Sequence, residues 1–144
     1  MSTLDRPDSV LEEGRTLHAG HNCVACVAAV LYNETNAKGF ATANLVARRY
    51  QISPSVSLTP ERALEIIRDF AKLTPTPGRA HPWESTAPQG HYAVFCMGRR
   101  HVIYGHKQSD TAFYLFDPQT ERHLDLGQIQ RDGFGPFRSY HFAG

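Results

Sequence analysis

Val24, Ala25, Val27, Ala28, Ala29, Val30 and Leu31 fall in a stretch that is apolar almost all round. A helix of that kind has no face to give to water, so the remainder of the chain has to be laid around it. Upstream, Gly20-His21-Asn22-Cys23 is a polar loop running into the helix, which puts Cys23 in the first turn. Asn22 suits the N-cap, because its side-chain oxygen can accept a hydrogen bond from a first-turn amide. A thiol at that place feels the positive end of the helix dipole, which favours thiolate over thiol. Cys26, one turn deeper, has the character of a small buried hydrophobe, and Cys96 lies within an apolar strand. Cys23 is the better nucleophile by position, although spacing alone leaves Cys26 in competition.

Around this helix the chain alternates clear starts and stops. Residues 1–15 form a polar lead-in, with one helical turn expected at residues 10–13. The Cys helix is expected over residues 23–33, ending at Asn33-Glu34-Thr35-Asn36 with Gly39 beyond. Thr42 caps a second helix with Leu45, Val46 and Tyr50 on one face, and Pro54 closes that region. Thr59-Pro60 is a third start, a cap residue followed by proline at the first helical position. Ala63, Leu64, Ile66, Ile67, Phe70, Ala71 and Leu73 then keep helical spacing on a core-facing side. Residues 74–90, with Pro75, Pro77, Gly78, Pro82 and Pro88, form the longest irregular stretch, and Trp83 inside it suits a hydrophobic plug.

From His91 onward the period changes to that of strands. Strands are expected at residues 92–97 and 101–105, joined by Gly98-Arg99-Arg100, then at 112–116, ending at Asp117-Pro118. Two more are expected at residues 122–126 and 136–142. Helices first and an antiparallel meander afterwards predict an α+β fold, with residues 16–144 as one domain. The bulk numbers narrow the function. Lys and Arg number 15 against 14 Asp and Glu, a net charge of +1, which gives no electrostatic case for nucleic acid or an anionic membrane. No apolar run approaches the roughly 20 residues of a membrane span. The opening residues 1–8 are polar and acid-bearing, unlike a signal peptide. Three cysteines, an odd number, offer no disulfide framework and suit a reducing compartment.

A nucleophilic cysteine needs a base within hydrogen-bond reach, and the base needs a third group to orient it. His101 begins one strand and Asp117 ends the next, and antiparallel pairing brings such ends together. His91 also starts a strand and rivals His101 as base, while Asp125 is a second choice of acid. His106 and His123 are expected at the surface. His18, His21, Cys23 and Cys26 could instead be zinc ligands, four within nine residues. Structural zinc sites, however, usually set their cysteines in a turn and draw a second pair from elsewhere, so neither metal nor cofactor is expected here.

Asn22-Cys23 opening an apolar helix, a strand-initial His101, and Phe116-Asp117-Pro118-Gln119 at a strand end resemble the papain-like fold. The pattern is similar to bacterial papain-fold toxin and effector domains, among them glutamine deamidases and cysteine proteases of secretion systems, and covers about residues 17 to 126. The resemblance implies N-terminal helices packed on a C-terminal antiparallel sheet. It also implies Cys23 as nucleophile, His101 as general base and acid, and Asp117 as the group holding the imidazole. The Cys23 amide with Asn22 would form the oxyanion hole, although no glutamine lies in the ten residues before Cys23 as it does in papain itself. Gln119 resembles the polar residue after the acid in the toxin domains. A protein substrate, a cognate immunity or inhibitor protein, and action in a target-cell cytoplasm are further implications. A non-catalytic or zinc-stabilised interaction module is the alternative from another class.

Overall fold

Thr42 and Thr59 each turn an extended backbone into a helix, as their place in the sequence predicts. The computed structural model describes residues 22–36, 40–52, 58–77 and 80–142, which form mixed helix and antiparallel sheet, an α+β architecture. The lead-in at residues 1–15, His18, His21, Gly39, Pro54 and Gly78 lie outside the described residues. Two compact units are distinguished: the residues through Lys72 with Pro118–Thr120, and Leu73–Asp117 with the residues from Glu121 onward.

The first unit is helical. Helix α1 (Asn22–Thr35) packs against α2 (Ala43–Tyr50) and α3 (Pro60–Ala71). Every residue from Cys23 to Leu31 is at most 5% exposed, as an all-round apolar helix requires. The helix begins at Asn22 itself, one residue earlier than expected, so Asn22 is its first residue and not a cap outside it. It also runs on to Thr35, whose hydroxyl donates to the Leu31 carbonyl at 2.7 Å. Asn33, buried near that end, clamps the following segment. Its Nδ2 donates to the Ala41 carbonyl at 2.9 Å, and its Oδ1 accepts from the Ala41 amide at 2.7 Å.

In α2 the Thr42 hydroxyl accepts from the Leu45 amide at 3.1 Å. The buried face is Ala43, Val46 and Ala47, at i, i+3 and i+4. Leu45, expected on that face, is one position off it and exposed. Helix α3 carries Pro60 in its first turn, and the Thr59 hydroxyl accepts from the Arg62 amide at 3.1 Å. Ala63, Ile66, Ile67, Phe70 and Ala71 are buried, with Leu64 half-buried at the margin. Phe70 is the hub of the unit. Its ring lies 5.2 Å from Tyr32 and 6.4 Å from Tyr50, with the Arg49 guanidinium 5.3 Å above it.

The second unit is a six-stranded sheet of order β1-β6-β2-β3-β4-β5, antiparallel throughout. Its strands are β1 (Pro75–Pro77), β2 (Gly90–Cys96), β3 (His101–Lys107), β4 (Phe113–Asp117), β5 (Arg122–Leu124) and β6 (Phe137–Phe142). Strand β1 lies in the stretch expected to be wholly irregular. Its prolines suit an edge, where one side of the ladder needs no partner. Strand β5 stops two residues early because Asp125 turns the chain, accepting from the Gln128 amide at 3.0 Å to start helix α4 (Leu126–Arg131). The sequence pattern assigns Asp125 and Leu126 to the strand and predicts no helix there.

One sheet face carries Tyr92, Val94, Cys96, Ile103 and Leu115 in a cluster with Ala87 and Ile129. Trp83 packs on this cluster, stacked on His81 at 4.6 Å and edge-on to Phe137 at 5.2 Å, so it pins the long loop as a plug. His81 shares a 2.6 Å hydrogen bond with buried Ser139, and the ammonium of buried Lys107 donates to the Glu84 carbonyl. Tyr92 donates to the Pro88 carbonyl, and burial pushes its phenol up to about 12. The loop is thus held by the Trp83 plug and by three hydrogen bonds, at His81, Glu84 and Pro88.

Two stability predictions follow from these contacts. Asn33→Ala leaves the Ala41 amide and carbonyl unsatisfied in a buried place, and urea denaturation should show a loss of about 3 kcal/mol. Burial pushes His81 below its usual 6.5, with Glu84 opposing in part, so the unfolded chain takes up the proton first. The His81 contribution is therefore intact above pH about 6.5 and is lost as pH falls through that value. Urea midpoints at pH 7.5 and 5.5 should differ more for the native chain than for His81→Gln.

Candidate active site

The β2–β3 hairpin sets His101. Gly98 sits at its tip, where an added Cβ would lie 2.3 Å from the carbonyl oxygens of Gly133 and Gly135, so only glycine fits. The Gly98 amide donates to the Phe134 carbonyl at 3.0 Å and the Met97 amide to the Pro136 carbonyl at 2.9 Å. Arg100 then takes the left-handed conformation, with φ of 50°, and the chain enters β3 at His101, opposite Cys96.

Asp117 is the last residue of β4. The pairing of Tyr104 with Phe116 brings Asp117 level with Ile103, on the same sheet face as His101 and diagonal to it. The two side chains meet there. His101 Nε2 lies 2.8 Å from Asp117 Oδ2, with side chains 17% and 8% exposed. A carboxylate only accepts, so Nε2 carries the proton it shares, and Nδ1 becomes the basic nitrogen of the neutral ring. Imidazole and carboxylate are therefore joined as their places at opposite strand ends predict.

His91 is placed otherwise. Alternation along β2 turns it to the face opposite that of Asp117. There its Nδ1 shares a 2.7 Å hydrogen bond with the Tyr104 hydroxyl, and its ring stacks parallel to His106 at 4.8 Å. The row continues from His106 to Tyr114 at 5.4 Å and on to His123 at 5.7 Å. His106, expected at the surface, is half-buried in this row, whereas His123 is exposed. Alternating His and Tyr at 104, 106 and 114 was the only sequence sign of it. Asp125, the second-choice acid, is engaged as the cap of α4.

Cys23 is the second residue of α1, in the turn whose amides the helix ladder does not use. It is 3% exposed and Cys26 is 2% exposed. None of the three cysteines is in a disulfide. Gln119 is half-buried in the Pro118–Thr120 segment of the first unit. Of the four candidate zinc ligands, His18 and His21 lie outside the described residues. Among the described residues no group of three or more His, Cys, Asp or Glu could hold a metal, and no helix is long and apolar enough to cross a membrane.

Comparison of the chain with family models, with curated proteins and with solved structures returned no match.

The hydrogen bond to Asp117 predicts one tautomer. In ¹⁵N NMR at a pH where the ring is neutral, His101 should carry its proton on Nε2, and Asp117→Ala should shift it toward a mixture.

Proposed function

We propose that the chain is a papain-like cysteine amidohydrolase acting on a protein substrate, a toxin or effector domain that deamidates a glutamine side chain. The observation that carries this reading is the 2.8 Å His101–Asp117 hydrogen bond, an imidazole held by a carboxylate at adjacent strand ends. Support also comes from Cys23 in the first turn of a helix and from the likeness of Asn22-Cys23 and Phe116-Asp117-Pro118-Gln119 to the toxin domains.

In the proposed reaction Nδ1 of His101 takes the Cys23 thiol proton, and the thiolate attacks the carboxamide carbon of glutamine. Amide donors, the Cys23 amide and the Asn22 side chain, hold the oxyanion. As the tetrahedral adduct collapses, the C–N bond breaks and the imidazolium gives its proton to the departing ammonia. Water, deprotonated by the same imidazole, then cleaves the thioester to leave glutamate and the free thiol. Asp117 touches no reacting atom and acts as the positioning group for the ring. Gln119, in the segment following it, is assigned to the substrate side of the site. No metal or cofactor enters the scheme. The enzyme would work in the cytoplasm of a target cell, with a cognate immunity protein as its natural inhibitor.

A second reading is favoured by one observation: Cys23 is only 3% exposed. A binding module built on the same frame would keep that thiol buried and inert. Iodoacetamide at neutral pH separates the two. The enzyme reading expects Cys23 to be alkylated far faster than Cys26 and Cys96, with His101→Ala slowing the reaction about 100-fold, the usual worth of a positioned base. Slow, equal labelling of all three thiols would leave the binding module standing. Incubation with candidate proteins and mass spectrometry then fixes the leaving group. A gain of about 1 Da at one glutamine marks deamidation, whereas fragments would mark a peptidase.

A further inference from the structure

We propose that Arg99, Arg100 and Arg122 form a cationic rim beside His101–Asp117 that recognises an acidic segment of the substrate protein. The word substrate rests on the enzymatic reading above; the affinity of the rim for acidic peptide does not.

The three arginines border the pair on two sides. Arg99 and Arg100 are the two residues before His101, and Arg122 is the register partner of Asp117 on β5. All three are exposed, and among the described residues none of their guanidinium groups lies in an ion pair. In a chain whose net charge is only +1, three exposed guanidinium groups flank one imidazole–carboxylate pair. The acids nearby are Asp117, held by His101, with Glu121 and Asp132. Both carboxylate oxygens of Asp132 lie 3.0 Å from Gln128 Nε2, and Oε1 of Glu121 is buried.

The rim is also held in place. The Arg99 guanidinium donates to the Asp132 carbonyl and lies 5.3 Å over the Phe134 ring, which keeps its charge while fixing its position. Gly98, wedged between Gly133 and Gly135, fixes the hairpin that bears it. Arg100 is the telling residue. It occupies a left-handed position where glycine is easier, yet carries a long, exposed, charged side chain directly before His101. Fixed positive charges beside a site draw in negative partners and lose their pull as salt screens them. The chemistry selected is a run of Asp or Glu flanking the target residue.

The test uses the whole chain and two peptides, hexaglutamate and hexaserine, at low salt. Amide shifts of Arg99, Arg100, His101 and Arg122 should respond to hexaglutamate alone and fade at about 0.3 M salt. Arg100→Gly should melt at a higher temperature, because its φ of 50° suits glycine, and should still bind hexaglutamate severalfold more weakly. Arg122→Gln should weaken it likewise. Equal responses to both peptides, no response, or unchanged binding by both variants would overturn the rim. Alkylation of Cys23 separates this failure from failure of the enzymatic reading. With both correct, the rate ratio of iodoacetate to iodoacetamide exceeds that of free cysteine by about fivefold and falls in Arg100→Gly. A reactive Cys23 without that preference sinks the rim alone. An inert Cys23 beside a rim that binds hexaglutamate sinks the enzyme alone.

Discussion

In an antiparallel ladder a slip of one residue turns a whole strand to its other face, and the pairing of Tyr104 with Phe116 is what keeps His101 and Asp117 together. That register is pinned from both faces. Ile103 and Leu115 belong to the apolar cluster on one side, while Tyr104 and Phe116 are buried on the other. A slipped β4 would put Leu115 and Phe116 each on the wrong side and leave Asp117 with no ring to hold. The imidazole–carboxylate pair is thus maintained by the burial of apolar neighbours one to three residues along each strand.

Much of this was legible in the sequence wherever one local rule decided the outcome. Thr42, and Thr59 with Pro60, announced their helices through capping chemistry that involves only neighbours in the chain. The all-apolar run after Cys23 announced a buried helix, and two runs of strand period divided by Gly98-Arg99-Arg100 announced a hairpin. The failures came where a distant partner decided. Residues 75–77 become a strand only because Tyr140–Phe142 offers them an edge, and no local pattern could reveal that. Leu45 and Val46 are equally apolar, so the choice of which to bury was made by the helices packed against α2. Asp125 reads locally as a strand residue and a spare acid, whereas its carboxylate starts α4.

The site followed the same division. That His101 and Asp117 would meet could be read from their positions at the start of one strand and the end of the next. That His91 would not meet Asp117 follows from side-chain alternation, which the sequence pattern also carries but which needs the register to be decisive. The stacked row of His91, His106, Tyr114 and His123 left almost no trace, since its members come from four strands. Cys23 shows the opposite tension. The features behind its proposed role as nucleophile, a helix start and an apolar body behind it, are also those that bury it.

The position of β6 has a consequence for how the sheet is assembled. Residues 137–142 insert between β1 and β2, so the inner edge of β2 stays open while β3, β4 and β5 add in turn on its other side. During synthesis the ribosome releases that missing rung after every other strand. Until then β1 has nothing to pair with and β2 presents bare amides and carbonyls, a template for any stray extended chain. A nascent chain of this design has to shield its own midsection while waiting for its last strand, and loss of a few residues there would open the sheet at its middle and not at its margin.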